Sequence, residues 1–308
     1  MKLHFSLTKS ATFLLLFSLL VVFSCTKEQS GNGSASDQDE QASLVSSQSD
    51  AEAELVFNNI FDDAMGASDD VGMAGTGIFG RNGLSSVSDG INPMRITGCF
   101  NVLITHATNA VFPVKIVIDF GTTGCPGPDG HIRKGKIITE YTSRLLYPGA
   151  IATSTFDGFY VDSIKVEGTH KITNTGTANV RQFTVDVTDA KLSKPSGNYT
   201  EWNSHKVITQ IEGLATAAYP KDDILKIEGS AHGKAKRGAL LVAWESNITE
   251  PLVKKFICPW IVKGKVKAVR INTSSTGQWV AELDFGAGDC DNKAIITING
   301  VAHNITLH

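Results

Sequence analysis

Phe112-Pro113-Val114-Lys115-Ile116-Val117-Ile118-Asp119-Phe120 is the stretch that decides the fold. Apolar and polar side chains alternate along much of it, as a strand with one face in a core requires. It runs into Gly121-Thr122-Thr123-Gly124-Cys125, a turn, and then into a second strand pattern, Gly135-Lys136-Ile137-Ile138-Thr139-Glu140-Tyr141-Thr142. Further runs of the same kind follow, among them Ser163–Gly168, Gln182–Val187, Ile224–Gly229, Lys263–Val269 and Ala294–Ile298, each bounded by Gly, Asn, Asp or Pro. No helical period appears after residue 90. Roughly 12–14 candidate strands predict an all-β body over residues 96–308, an antiparallel β-sandwich or one large twisted sheet.

Two parts of this body read alike. Cys99 is followed by a spacer, Asp119-Phe120-Gly121, three residues and Cys125; Cys258 is followed by a spacer, Asp284-Phe285-Gly286, three residues and Cys290. A β-branched run comes next in both, so residues 99–142 and 258–308 are expected to be two pseudo-repeats. The kinase meaning of Asp-Phe-Gly fails for want of a Gly-rich loop, a paired Lys and a catalytic loop. The expected role is structural, with Phe in the core and Gly opening a turn. The repeat selects Cys99–Cys125 and Cys258–Cys290 from the three possible disulfide pairings, with cross-copy pairing as the alternative. Each bond would stabilise by roughly 3–4 kcal/mol in the chain-entropy model.

Upstream of the body, Ser49 or Asp50 can cap a helix running to Gly66, with Leu55, Phe57, Ile60, Phe61 and Ala64 on one side. Residues 50–66 are therefore expected to form a short amphipathic helix, and the Gly/Ser-rich residues 67–95 a linker. Residues 25–49 hold only two large apolar side chains after Cys25, Leu44 and Val45, and are expected to be a flexible, disordered tether. From Thr26 to Gly90, two cations face twelve acids; from Ile91 onward, 24 cations face 19 acids. So weak a basic excess over more than 200 residues does not point to nucleic acid.

Residues 1–24 have the form of a signal peptide, with Lys2 and Lys9 ahead of the apolar run Ala11–Phe23, too short to span a bilayer. Val22-Phe23-Ser24-Cys25 resembles the bacterial lipobox, which implies export and acylation of Cys25. Two or three acyl chains, at about 0.8 kcal/mol per buried methylene, would make a stable membrane anchor. Thr26-Lys27-Glu28-Gln29 resembles the surface-export signal of lipoproteins in Bacteroidota, implying an outer-membrane anchor and a body on the cell surface, with a periplasm-facing body as the alternative. The chain as a whole is similar to cell-envelope lipoproteins of that phylum. The similarity rests on Cys25, Asp119-Phe120-Gly121 with Cys125, Arg133–Ile138, Pro251–Lys255 and Cys290-Asp291-Asn292-Lys293, and it implies no activity and no site residues.

No nucleophile elbow, zinc-protease motif or phosphate loop occurs, so no catalytic residue, cofactor or metal is assigned. His170, His205 and His232 read as solvent-facing strand or turn positions. Asp284, Asp289, Asp291 and Asn292 read as a polar turn rather than a Ca²⁺ loop. His131, Arg133, Lys134 and Lys136 read as a solvated strand edge. Trp244 and Trp260 lie in apolar runs and read as core. Trp202 and Tyr199 lie in the polar run Tyr199–His205 and are the candidate platform for a sugar ring. The function expected is a non-catalytic binding or structural module of the envelope, touching membrane lipid through Cys25 and a glycan or envelope protein through its body. The alternatives are a secreted hydrolase or glycan-processing enzyme, in which carboxylates such as Glu140, Glu167 and Glu228 converge, and a surface adhesin or assembly subunit with a free edge strand.

Overall fold

The computed structural model describes residues 35–68, 70–73, 77–79, 99–108, 110–127, 129–216, 220–273 and 278–307. One α-helix, α1 (Ala35–Gly66), precedes a 3₁₀ turn at Gly77–Phe79 and fourteen strands. These are β1 (Asn101–His106), β2 (Val114–Asp119), β3 (Cys125–Pro126), β4 (Ile132–Tyr141), β5 (Ile151–Val161), β6 (Ile164–Asn174) and β7 (Gln182–Ser193). Then come β8 (Tyr199–Glu212), β9 (Ile224–Arg237), β10 (Leu240–Lys255), β11 (Ile261–Arg270), β12 (Val280–Ala287), β13 (Lys293–Ile298) and β14 (Val301–Thr306). All belong to one antiparallel sheet in sequence order, with the short β3 paired to the side of β4. The sheet is open, with β1 at one edge and β14 at the other. Of the two expected architectures, the single large sheet is the one formed.

The sheet curls around α1, which packs against β5, β6 and β8 to β13. Glycine bulges supply much of the bend. At Gly135 the register between β4 and β5 slips by a residue, and its φ of 76° with Gly158 backbone against its Cα leaves no room for a Cβ. Gly264 does the same between β11 and β12, at φ 112° against Pro251 and Leu252. Both glycines sit in a Lys-Gly-Lys run, Lys134–Lys136 and Lys263–Lys265.

Cross-strand register explains how a helix fits so closely. On the concave face, Ser154, His170, Val187, Ser204, Ala231, Ser246, Ala268 and Ala281 are successive partners from β5 to β12. All are buried, and most are small. Small side chains in a row make a trough, and α1 lies in it.

The helix begins at Ala35, fifteen residues before the expected start, so residues 35–49 are not a tether. Composition misled because this half of α1 is held by polar contacts. Asp39 pairs with Arg270, and the hydroxyls of Ser43 and Ser46 bond back to the carbonyls of Asp39 and Ala42. The rest of the expected tether and most of the expected linker lie outside the described residues, as do the signal peptide and Cys25.

The two disulfides are Cys99–Cys125 and Cys258–Cys290. Each ties the segment leading into a strand (β1, β11) to the segment that follows the next strand (β2, β12). In both units Phe120 or Phe285 is buried, and Asp119 or Asp284 accepts a hydrogen bond from the amide of Gly121 or Gly286 at 2.9 and 2.8 Å. The same aspartates pair with a lysine of a Lys-Gly-Lys run, Lys136 at 3.5 Å and Lys265 at 3.7 Å.

Candidate functional site

Three surfaces of such a sheet can carry function: the concave face, the convex face and the edges. The concave face is occupied. Asp50, Glu54, Asn58 and Asp62 recur every four residues and make a polar stripe along α1, yet all four are buried. The sheet supplies their partners from separate strands. Glu54 meets Lys206 of β8 at 2.9 Å, and Asp62 meets Lys254 of β10 at 2.5 Å. Asp50 accepts the indole N–H of Trp202 (β8) at 2.7 Å and of Trp244 (β10) at 3.0 Å. Burial raises the Asp50 carboxyl above its usual range, against the pull of Lys206 and the two indoles. Asp63 lies 3.8 Å from Arg133, which also holds Asp129 through two hydrogen bonds of 2.9 and 2.6 Å. Burial pushes Asp63 up to about 6, whereas Arg133 outweighs burial at Asp129 and holds it near 2.

These contacts place several sequence-predicted residues differently. Trp202 is 1% exposed and stacks on Phe57 of α1, so it is no ligand platform. Tyr199, three residues away on the same strand, faces the other side, half-buried under the Lys191 ammonium, 4.8 Å from its ring centre. The structure does not bring the two together, because side chains alternate along a strand and an odd separation splits them. Arg133 is buried rather than solvated. Trp244 is core, as expected, and Trp260 is half-buried with its ring at the edge of His131. His131 in turn contacts Asp162 at 2.9 Å. Asp284 and Asp291 cap backbone amides of their own turns, and among the described residues no group of three His, Cys, Asp or Glu could hold a metal ion.

His170 is the buried residue that the sequence pattern underrated. It has no exposed surface, stacks on Phe57, and neither ring nitrogen has a hydrogen-bond partner. Burial alone drives it down to about 3, so it is neutral in the native protein.

One small cleft opens at the far end of α1, lined by Phe61, Met65, Arg181, Phe183, Asp223 and Phe256. Asp223 there is pushed up to about 6 by burial.

The convex face is polar. One cross-strand row runs through Lys115, Glu140, Thr153, Lys171, Asp186 and His205, then through Ser230, Asn247, Lys267, Glu282 and Thr297. Lysines and acids alternate along it, which favours each cross-strand neighbour and leaves no field of one sign. Glu140, Glu167 and Glu228 lie on this face on three separate strands, and Glu167 and Glu228 are paired with Lys165 and Lys226 at 2.6 and 2.7 Å. The structure does not gather them in a cleft.

This geometry defines a class: one open antiparallel sheet wrapped around a buried acidic helix, stapled by two local disulfides. No family model matches the chain, and no match was found among curated proteins or solved structures. No helix among the described residues is long and apolar enough to cross a membrane.

Proposed function

We propose that the chain is an exported lipoprotein, anchored in the outer membrane through an acylated Cys25 with its body facing outward. The body is a non-catalytic binding or structural module for a glycan or another envelope protein. The observation that carries the second statement is the filled concave face. The position where a curved sheet would cradle a substrate is taken by α1, whose acids are matched to cations and indoles on several strands. Recognition then falls to the polar convex face and to the edges. Two disulfides support a compartment where thiols are oxidised.

Intact mass spectrometry of the protein from its membrane fraction tests the anchor. The expected species begins at Cys25 and carries two or three acyl chains; an unmodified chain starting at Met1 overturns the reading. A glycan array probed with the full-length protein tests one of the two partner classes.

A further inference from the structure

Edge strands in natural sheets are normally guarded by charge, proline or a bulge, because an unpaired row of N–H and C=O groups invites another strand. This sheet reverses the rule. Every interior strand longer than two residues carries at least one Lys, Arg, Asp or Glu, whereas the edges, Asn101-Val102-Leu103-Ile104-Thr105-His106 and Val301-Ala302-His303-Asn304-Ile305-Thr306, carry none. Neither edge has a proline, and both pair with their neighbours without a register break.

The two edges are not equivalent. On β14, His303 reaches inward to Glu40 of α1 at 3.3 Å. On β1, Leu103 points to the convex side and is 51% exposed, and Ile104 on the concave side is 39% exposed. The strand itself is held firmly, with Phe100 and Val102 buried and Cys99 bonded to Cys125. No described residue pairs with its outer side.

Topology limits what can pair there. The path from β1 to β14 has thirteen strands, each antiparallel to the next, so the two edges run in the same direction. A β14 edge from another copy, set against β1 with the concave faces aligned, would pair in parallel. Two β1 strands related by a two-fold axis pair antiparallel with the faces aligned, the more stable ladder and the commonest symmetry. Opposed residues in such a pair must share a face. With the axis at Leu103, Leu103 meets Leu103 of the second copy, Val102 meets Ile104 and Asn101 meets Thr105. With the axis at Ile104, Leu103 meets Thr105 and Val102 meets His106. The first register keeps the apolar residues together.

We propose that β1 is a self-recognition edge, through which two copies of this chain join their sheets about a two-fold axis at Leu103. Six residues a side is far below the roughly 20–30 of a stable interface, so the dimer is of the weak, reversible class.

Disulfide trapping on the full-length protein tests it. In the proposed register two Leu103→Cys residues lie about 4.5–5.5 Å apart between Cα atoms, within disulfide reach. Two Asn101→Cys residues lie about 14 Å apart, beyond it. Under mild oxidation L103C should cross-link on the order of tenfold faster than N101C, with wild type as the background. The N101C/T105C protein should also cross-link, and adding Leu103→Lys should suppress it by opposing two like charges. Equal rates for L103C and N101C overturn the proposal. So does efficient cross-linking of L103C to an Asn304→Cys partner, which would mean edge-to-edge chains instead of a dimer.

Discussion

Replacing Lys206 by Met should lower stability by about 3–5 kcal/mol, and adding Glu54→Leu should recover most of that loss. Lys206 and Glu54 are only 6% and 8% exposed and lie 2.9 Å apart between β8 and α1. Without Lys206, Glu54 keeps only the Asn58 amide, at 3.0 Å, and sits one helical turn from the buried Asp50. Two acids then share a dry space with no cation, and water cannot re-solvate them unless α1 lifts. Removing both members of the pair leaves apolar groups against Trp202, whose ring lies under the Lys206 ammonium. Urea unfolding of the two singles and the double measures the coupling. At about 2–4 °C per kcal/mol for a domain of this size, K206M should melt roughly 6–20 °C lower. A loss under about 1 kcal/mol would mean that the pair is wet and the helix loosely seated.

The second large effect is a pH dependence. His170 is held near 3 by burial, while in the unfolded chain it titrates near 6.5. Below pH 6.5 the unfolded state therefore binds a proton that the native state refuses. Stability contributed by this residue falls as pH drops from 6.5 toward 3 and is constant below that. By pH 4 the loss is about 3 kcal/mol. Asp63 acts in the opposite sense, since its raised value near 6 makes the native state the better proton acceptor between 3.8 and 6. The two are separated by comparing wild type with His170→Leu, which keeps Asp63. The variant should equal or exceed wild type at pH 7, and its advantage should grow by about 3 kcal/mol on going to pH 4. A constant difference across that range would show that His170 is hydrated or paired in solution.

Much of the sheet was legible in the sequence because its signal is local. Alternation marks Val114–Asp119 and Ile224–Gly229 as strands, and the Cys/Asp-Phe-Gly spacing identifies both disulfides and the turns between them. The seat of α1 was not legible, because its partners are distant. Asp39 looks like a solvent acid until Arg270, 231 residues away, is placed beside it. Ser43, Ser46 and Ser47 look like linker composition until the fold buries them, each 1% exposed. The same blindness hid Arg133, read as an edge charge but buried between Asp63 and Asp129. Trp202 is a different case. Its local run is polar, but it sits three residues from Tyr199 in a strand, and that spacing alone puts the two rings on opposite faces.

The central claim is that α1 belongs to the core of the sheet and occupies its concave face, apart from the cleft beside Phe61 and Met65. Native-state hydrogen exchange of the full-length protein measures this directly. The amides of residues 42–65 should exchange only with global unfolding, as slowly as those at the centres of β7 to β10. Exchange of the helix amides at a much lower opening free energy, with the strand centres still protected, would contradict it. The concave face would then be a groove that α1 merely visits.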